Sequence, residues 1–114
     1  MQYMLLIYSA EEAWQTMSPE DSQRMQSDFD AFTAALRESG SLVTADRLQP
    51  ADTATTIRVR DGQTLTTDGP FAETKEQLGG YYVVEAETLD DALAWAARVP
   101  SARVGSIEVR PVWC

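Results

Sequence analysis

Four charged side chains crowd residues 68–76 of the chain. In TTDGPFAETKEQLGGYYVVE, residues 66–85, Asp68, Glu73, Lys75 and Glu76 surround the dipeptide Pro70-Phe71. A carboxylate that loses part of its water becomes a serviceable general base, and a lysine beside it can hold an anion or a developing oxyanion. Asp68 and Glu73 are therefore candidate bases and Lys75 the candidate anion partner; these three are the catalytic candidates. Pro70, Phe71 and Glu76 would border the same ligand. Tyr8 and Tyr81 offer hydroxyls from the adjoining apolar runs, and Arg47 offers a bidentate anion contact. A plainer reading stands beside each of these. Asp68 can cap its own turn by accepting from a backbone N–H, and Glu73, Lys75 and Glu76 can form a solvated face. Tyrosines pack cores and interfaces, and arginines such as Arg47 and Arg110 pair with surface acids.

What is missing narrows the chemistry further. The 114 residues contain no histidine, which removes the commonest general base and the commonest metal ligand together. No Ser-His or Cys-His nucleophile and no zinc site of the usual kind can form, so no metal or cofactor is expected. The single cysteine, Cys114, is the last residue. It has no internal disulfide partner and no positioned base, which makes it incidental and fits a reducing cytoplasm. The net charge of −9 repels phosphate backbones and anionic lipid, so neither nucleic acid nor membrane is an expected partner. No run approaches the ~18 apolar residues that cross a bilayer, and MQYMLLIYSAEE lacks the basic start of a signal peptide.

The elements that must position these groups read clearly. The length indicates one domain, residues 1–114. Tyr3 to Tyr8 reads as a strand and residues 9–17 as a loop. Ser18-Pro19-Glu20-Asp21 starts a helix, with a hydroxyl cap, proline at the first position and acids facing the dipole. Met25, Phe29, Phe32 and Leu36, spaced by four, three and four, form its apolar stripe, and Gly40 stops it. Leu42 to Leu48 is a strand. Thr55–Arg60 and Gln63–Thr67 flank Asp61-Gly62, a strong hairpin turn. Asp68-Gly69-Pro70 makes a stiff turn, Phe71 is expected to anchor the loop in the core, and Gly79-Gly80 is a flexible exit. Tyr81 to Ala86 is a strand. Thr88 to Val99 is a second helix, packing through Leu89, Leu93, Ala96, Ala92 and Ala97 and ended by Pro100. Val104 to Trp113 is the last strand. This order is an α+β sandwich: ferredoxin-like, β-α-β, a hairpin, then β-α-β.

Two helices cover only one face of such a sheet, yet YMLLIY and YYVV are apolar on both faces. The helix-free face is therefore expected to meet a second copy, closing a dimeric α/β barrel. A ligand groove or a tolerated apolar patch are the other readings. Trp14 and Trp113 would be interface anchors.

DGPFAETKEQLGGYYVVEA at 68–86, YMLLIY at 3–8 and GSIEVRPV at 105–112 resemble the YCII-related proteins of the DGPF-domain type, across nearly the whole chain. The resemblance implies a ferredoxin-like fold that dimerises sheet to sheet, in a superfamily of small isomerases, monooxygenases and dye-decolourising enzymes. Compact YCII relatives are proposed to use a His-Asp pair, which this histidine-free chain cannot supply. Two functional expectations follow. One is a small-molecule-binding homodimer with possible enzymatic activity at the DGPF loop. The other is a non-catalytic accessory protein that binds a protein partner such as a sigma factor, since such genes often neighbour those of the family.

Overall fold

A computed structural model describes residues 1–113; Cys114 lies outside them. In chain order the elements are β1 (Gln2–Ser9), α1 (Glu11–Gln15), α2 (Pro19–Ser39), β2 (Leu42–Arg47), β3 (Thr55–Arg60), β4 (Gln63–Asp68), β5 (Gln77–Glu85), α3 (Leu89–Ala97) and β6 (Ser106–Pro111). Four strands form one antiparallel sheet in the order β2-β5-β1-β6, while β3 and β4 make a separate two-stranded sheet. That is the ferredoxin-like α+β arrangement, with the hairpin standing outside it.

Local chemistry accounts for α2. The Ser18 hydroxyl accepts from the Asp21 N–H at 3.1 Å, with Pro19 just inside the helix. At the other end Gly40 turns left-handed at φ +80°, and the Ser41 N–H reaches the Leu36 carbonyl at 3.2 Å. The stripe then divides along the helix. Phe32 and Leu36 are buried, whereas Met25 and Phe29 are half-buried.

Strand β1 alternates. Tyr3, Leu5, Ile7 and Ser9 are buried, and Met4, Leu6 and Tyr8 are half-buried. Tyr3, Leu5 and Ile7 join Tyr82, Val84, Phe32, Leu36, Ala92, Ala96 and Val99 in the core between sheet and helices. Leu5 and Leu36 are fully enclosed, and each contributes about 2 kcal/mol of hydrophobic stabilisation. Met4 and Leu6 pair with Val83 and Tyr81 of β5 on the opposite, helix-free face. Val83 is buried there without any helix above it.

Several expectations change. Residues expected to be loop contain the short helix α1, followed by a turn with Met17 N bonded to the Trp14 carbonyl. Strand β5 begins at Gln77, so Gly79-Gly80 is strand and not a flexible exit. A Cβ on Gly80 would sit 2.9 Å from the Asp46 carbonyl, so the glycine lets β2 approach β5. Phe71 is no anchor: it is 80% exposed, because the loop it belongs to follows the outlying hairpin and not the core. Leu89 and Leu93 are also exposed. Helix α3 packs through Ala92 and Ala96, whose small side chains bring its backbone close to the sheet. Strand β6 is shorter than the expected Val104 to Trp113 by two residues at each end, and a 3-10 turn at Pro100–Arg103 precedes it. Trp113 projects fully into solvent.

Candidate functional site

The apolar stripe of α2 leaves the core at its N-terminal half, and a cavity opens there. Its volume is about 570 Å³. Met25 and Phe29 of α2 meet the sheet across it, Trp14 of α1 forms one wall, and Tyr82 stands on the sheet side. The polar groups are Gln26, Asp30 and Thr33 on α2, Ser9 at the end of β1, and Asp46 and Arg47 at the end of β2. A mostly apolar concavity with a few placed polar groups is the usual form of a small-molecule site.

The walls are held by specific bonds. The Trp14 indole donates to the Ser9 hydroxyl at 2.6 Å, which fixes the ring over the opening between α1 and the sheet. Glu11 accepts from the Ala51 N–H at 2.6 Å, and its own N–H donates to Gln77 at 3.0 Å. The Gln77 amide also donates to the Thr74 carbonyl at 2.7 Å. The DGPF segment is thereby tied to the cavity wall through Gln77.

Inside, the hydroxyls of Thr33 and Tyr82 share a hydrogen bond of 2.7 Å. The Tyr82 ring lies edge-on to Phe32, with centroids 5.2 Å apart. Burial pushes the Tyr82 phenol above its usual range; the Thr33 hydrogen bond opposes this, and the negative charge of Asp30 adds to it. Asp30 also accepts from the Gln26 amide at 3.0 Å. Tyr82 therefore stays a neutral donor at physiological pH. A ligand oxygen can receive a proton or hydrogen bond from it, with Asp30 as the neighbouring carboxylate. At the edge strand, Tyr81 donates to Asp46 at 2.8 Å, and that bond to a carboxylate raises its pKa as well.

The raised Tyr82 pKa predicts an alkaline instability. A phenol whose folded value lies above its unfolded value of about 10 contributes stability that is complete below pH 10. That contribution is lost as the pH rises through the folded value. Urea unfolding between pH 9 and 12 should show a falling midpoint in the wild type and a shallower fall in Tyr82→Phe. At neutral pH the same variant should cost about 1 kcal/mol for the lost hydrogen bond.

The residues expected from the sequence fall into two groups. Arg47 and Tyr81 line the cavity. The remainder lie outside its lining. Asp68 ends β4 and is exposed, as are Pro70, Phe71, Glu73 and Lys75. Glu76 is half-buried and accepts from Ser106 at 2.9 Å. Tyr8 is half-buried on the helix-free face. Gln26, Asp30, Thr33 and Tyr82 were not among the expected site residues, and Trp14 was expected at an interface. A signal did exist: Gln26, Asp30 and Thr33 are spaced by four and three beside the apolar stripe, so they share a helical face.

A ferredoxin-like sheet with a cavity beneath one helix defines an α+β sandwich. Comparison with known proteins is more specific. The YCII-related domain family matches residues 1–114, and the chain belongs to that family. An uncharacterised protein of Rhizobium meliloti (strain 1021) is 40% identical over 114 residues, covering 98% of this chain and 92% of that one. Among solved structures, 5-chloro-2-hydroxyhydroquinone dehydrochlorinase from Burkholderia phenoliruptrix AC1100, in complex with 2,5-dihydroxybenzoquinone, superposes with a TM-score of 0.58. It is 12% identical and the match covers 99% of this chain and 94% of that one, which shows a shared fold.

Proposed function

We propose that this protein binds a small planar molecule carrying ring hydroxyl or carbonyl oxygens, in the cavity between α2 and the sheet. The observation that carries the reading is the pairing of aromatic walls, Trp14 and Phe29, with the Thr33–Tyr82 hydroxyl pair inside one cavity. Flat walls select a ring. The neutral Tyr82 hydroxyl and the Gln26 amide suit its oxygens. The dehydrochlorinase of shared fold, solved with a dihydroxybenzoquinone, supports the same ligand class. Asp30 is the group best placed to exchange a proton with such a ligand.

The protein works as a homodimer through its helix-free face in this reading. Met4, Leu6 and Tyr8 are left half-covered there, and a second copy would complete their burial.

Titration with 2,5-dihydroxybenzoquinone and a set of hydroxylated benzenes tests the ligand class by calorimetry. Saturable binding that weakens at least tenfold in Asp30→Asn or Tyr82→Phe is expected. Asp68→Asn and Lys75→Ala lie outside the lining and should change affinity by less than about twofold, within the error expected of distant sites. Binding lost in the loop variants and kept in the cavity variants would return the site to the DGPF loop.

A further inference from the structure

The β3–β4 hairpin is an arm without a body beneath it. Its two strands pair only with each other. Near its base, the Gly69 N–H bonds the Ala54 carbonyl at 2.7 Å and the Thr56 hydroxyl bonds the Gly69 carbonyl at 2.8 Å. The radius of gyration, 16.1 Å, exceeds the about 13 Å expected for a compact chain of this length. An isolated two-stranded hairpin is marginal in water, so an arm of this kind needs a surface to lie on.

Its side chains say what surface. Register places Ile57 and Val59 on one face with Thr64 and Thr66, and Arg58 and Arg60 on the other with Leu65. Ile57 is 65% exposed and Val59 60%. Leu65, also exposed, adds an apolar side chain to the opposite face. Neither Arg58 nor Arg60 meets a carboxylate among the described residues.

We infer that the arm clasps a second copy of this chain, with the Ile57–Val59 face laid on the partner. Three observations favour a copy over another occupant. In a twofold dimer each subunit both lays its arm on the partner and receives the partner's arm, so the patch counts twice, and the half-buried Met4 and Leu6 of the helix-free face add to it. Six extended residues span about 20 Å, comparable with the 18 Å thin dimension of the protein, so the arm reaches across one subunit. A chain of net charge −9 offers acids to Arg58 and Arg60, whereas nucleic acid and anionic membranes are repelled by that same charge. This inference rests on the homodimer reading and adds the arm to it.

Light scattering and sedimentation on the intact chain separate the two. Wild type should be a dimer at micromolar concentration. The double variant Ile57→Asp, Val59→Asp should dissociate at least tenfold more readily with an unchanged circular dichroism spectrum. A variant as tightly dimeric as wild type overturns the arm and leaves the dimer standing; a monomeric wild type overturns both. Should the variant not fold, hydrogen exchange of wild-type amides 55–68 decides. Protection at high concentration that is lost on dilution supports the clasp, and equal exchange at both overturns it.

Discussion

Thr33→Trp should abolish binding of hydroxylated-ring ligands while the protein remains folded. Thr33 is half-buried on the cavity side of α2, and its hydroxyl meets Tyr82 at 2.7 Å. An indole placed there has about 570 Å³ of open space to enter. Overpacking arises when added atoms find no room; here they find the ligand's room. The variant loses one hydrogen bond, at about 1 kcal/mol. It also fills the volume between Phe29 and Tyr82, so affinity should fall at least a hundredfold, about 2.8 kcal/mol. Calorimetric titration alongside thermal unfolding checks both halves. Undiminished affinity in a folded Thr33→Trp protein would place the ligand elsewhere.

Gly105→Ala should be the most damaging single methyl in the chain. Gly105 stands before β6, and a Cβ there would lie 2.3 Å from the Tyr8 carbonyl and 3.0 Å from the Ser9 Cβ. Both obstacles belong to β1, the strand at the centre of the core, so neither moves cheaply. The cost should reach about 3 kcal/mol, the upper end for overpacking, read as a fall in the urea midpoint. The damage should extend to the site, because Ser9 accepts the Trp14 indole bond that holds one cavity wall. Ligand affinity should therefore drop even under conditions where the variant is folded. An unperturbed midpoint would mean that β1 and β6 can separate without loss.

The elements follow from local signals. Ser18-Pro19 and Gly40 bound α2, and Asp61-Gly62 makes the hairpin turn, with φ of +50° and +76°. The two apolar runs became the central strands β1 and β5 because both of their faces are wanted. Packing is where local reading failed. Leu89 and Leu93 are apolar at helical spacing, yet smaller Ala92 and Ala96 face the sheet, since close approach rewards small side chains. Phe71 looked like an anchor because it is a lone aromatic in a polar loop; where that loop sits relative to the body is a tertiary fact. The site was half legible. Arg47 and Tyr81 belong to strands that converge on the cavity. Gln26, Asp30 and Thr33 each look like ordinary polar positions on an exposed helix. Only the lift of α2 away from the sheet, past Phe32, makes a cavity of them.

The central claim is that the ligand enters beneath α2, and amide chemical-shift mapping tests it most directly. A dihydroxybenzoquinone titrated into isotopically labelled protein should shift Trp14, Gln26, Phe29, Asp30, Thr33 and Tyr82 in one saturable process, leaving 68–75 nearly still. Shifts confined to Asp68 through Lys75, with α2 unmoved, would contradict it.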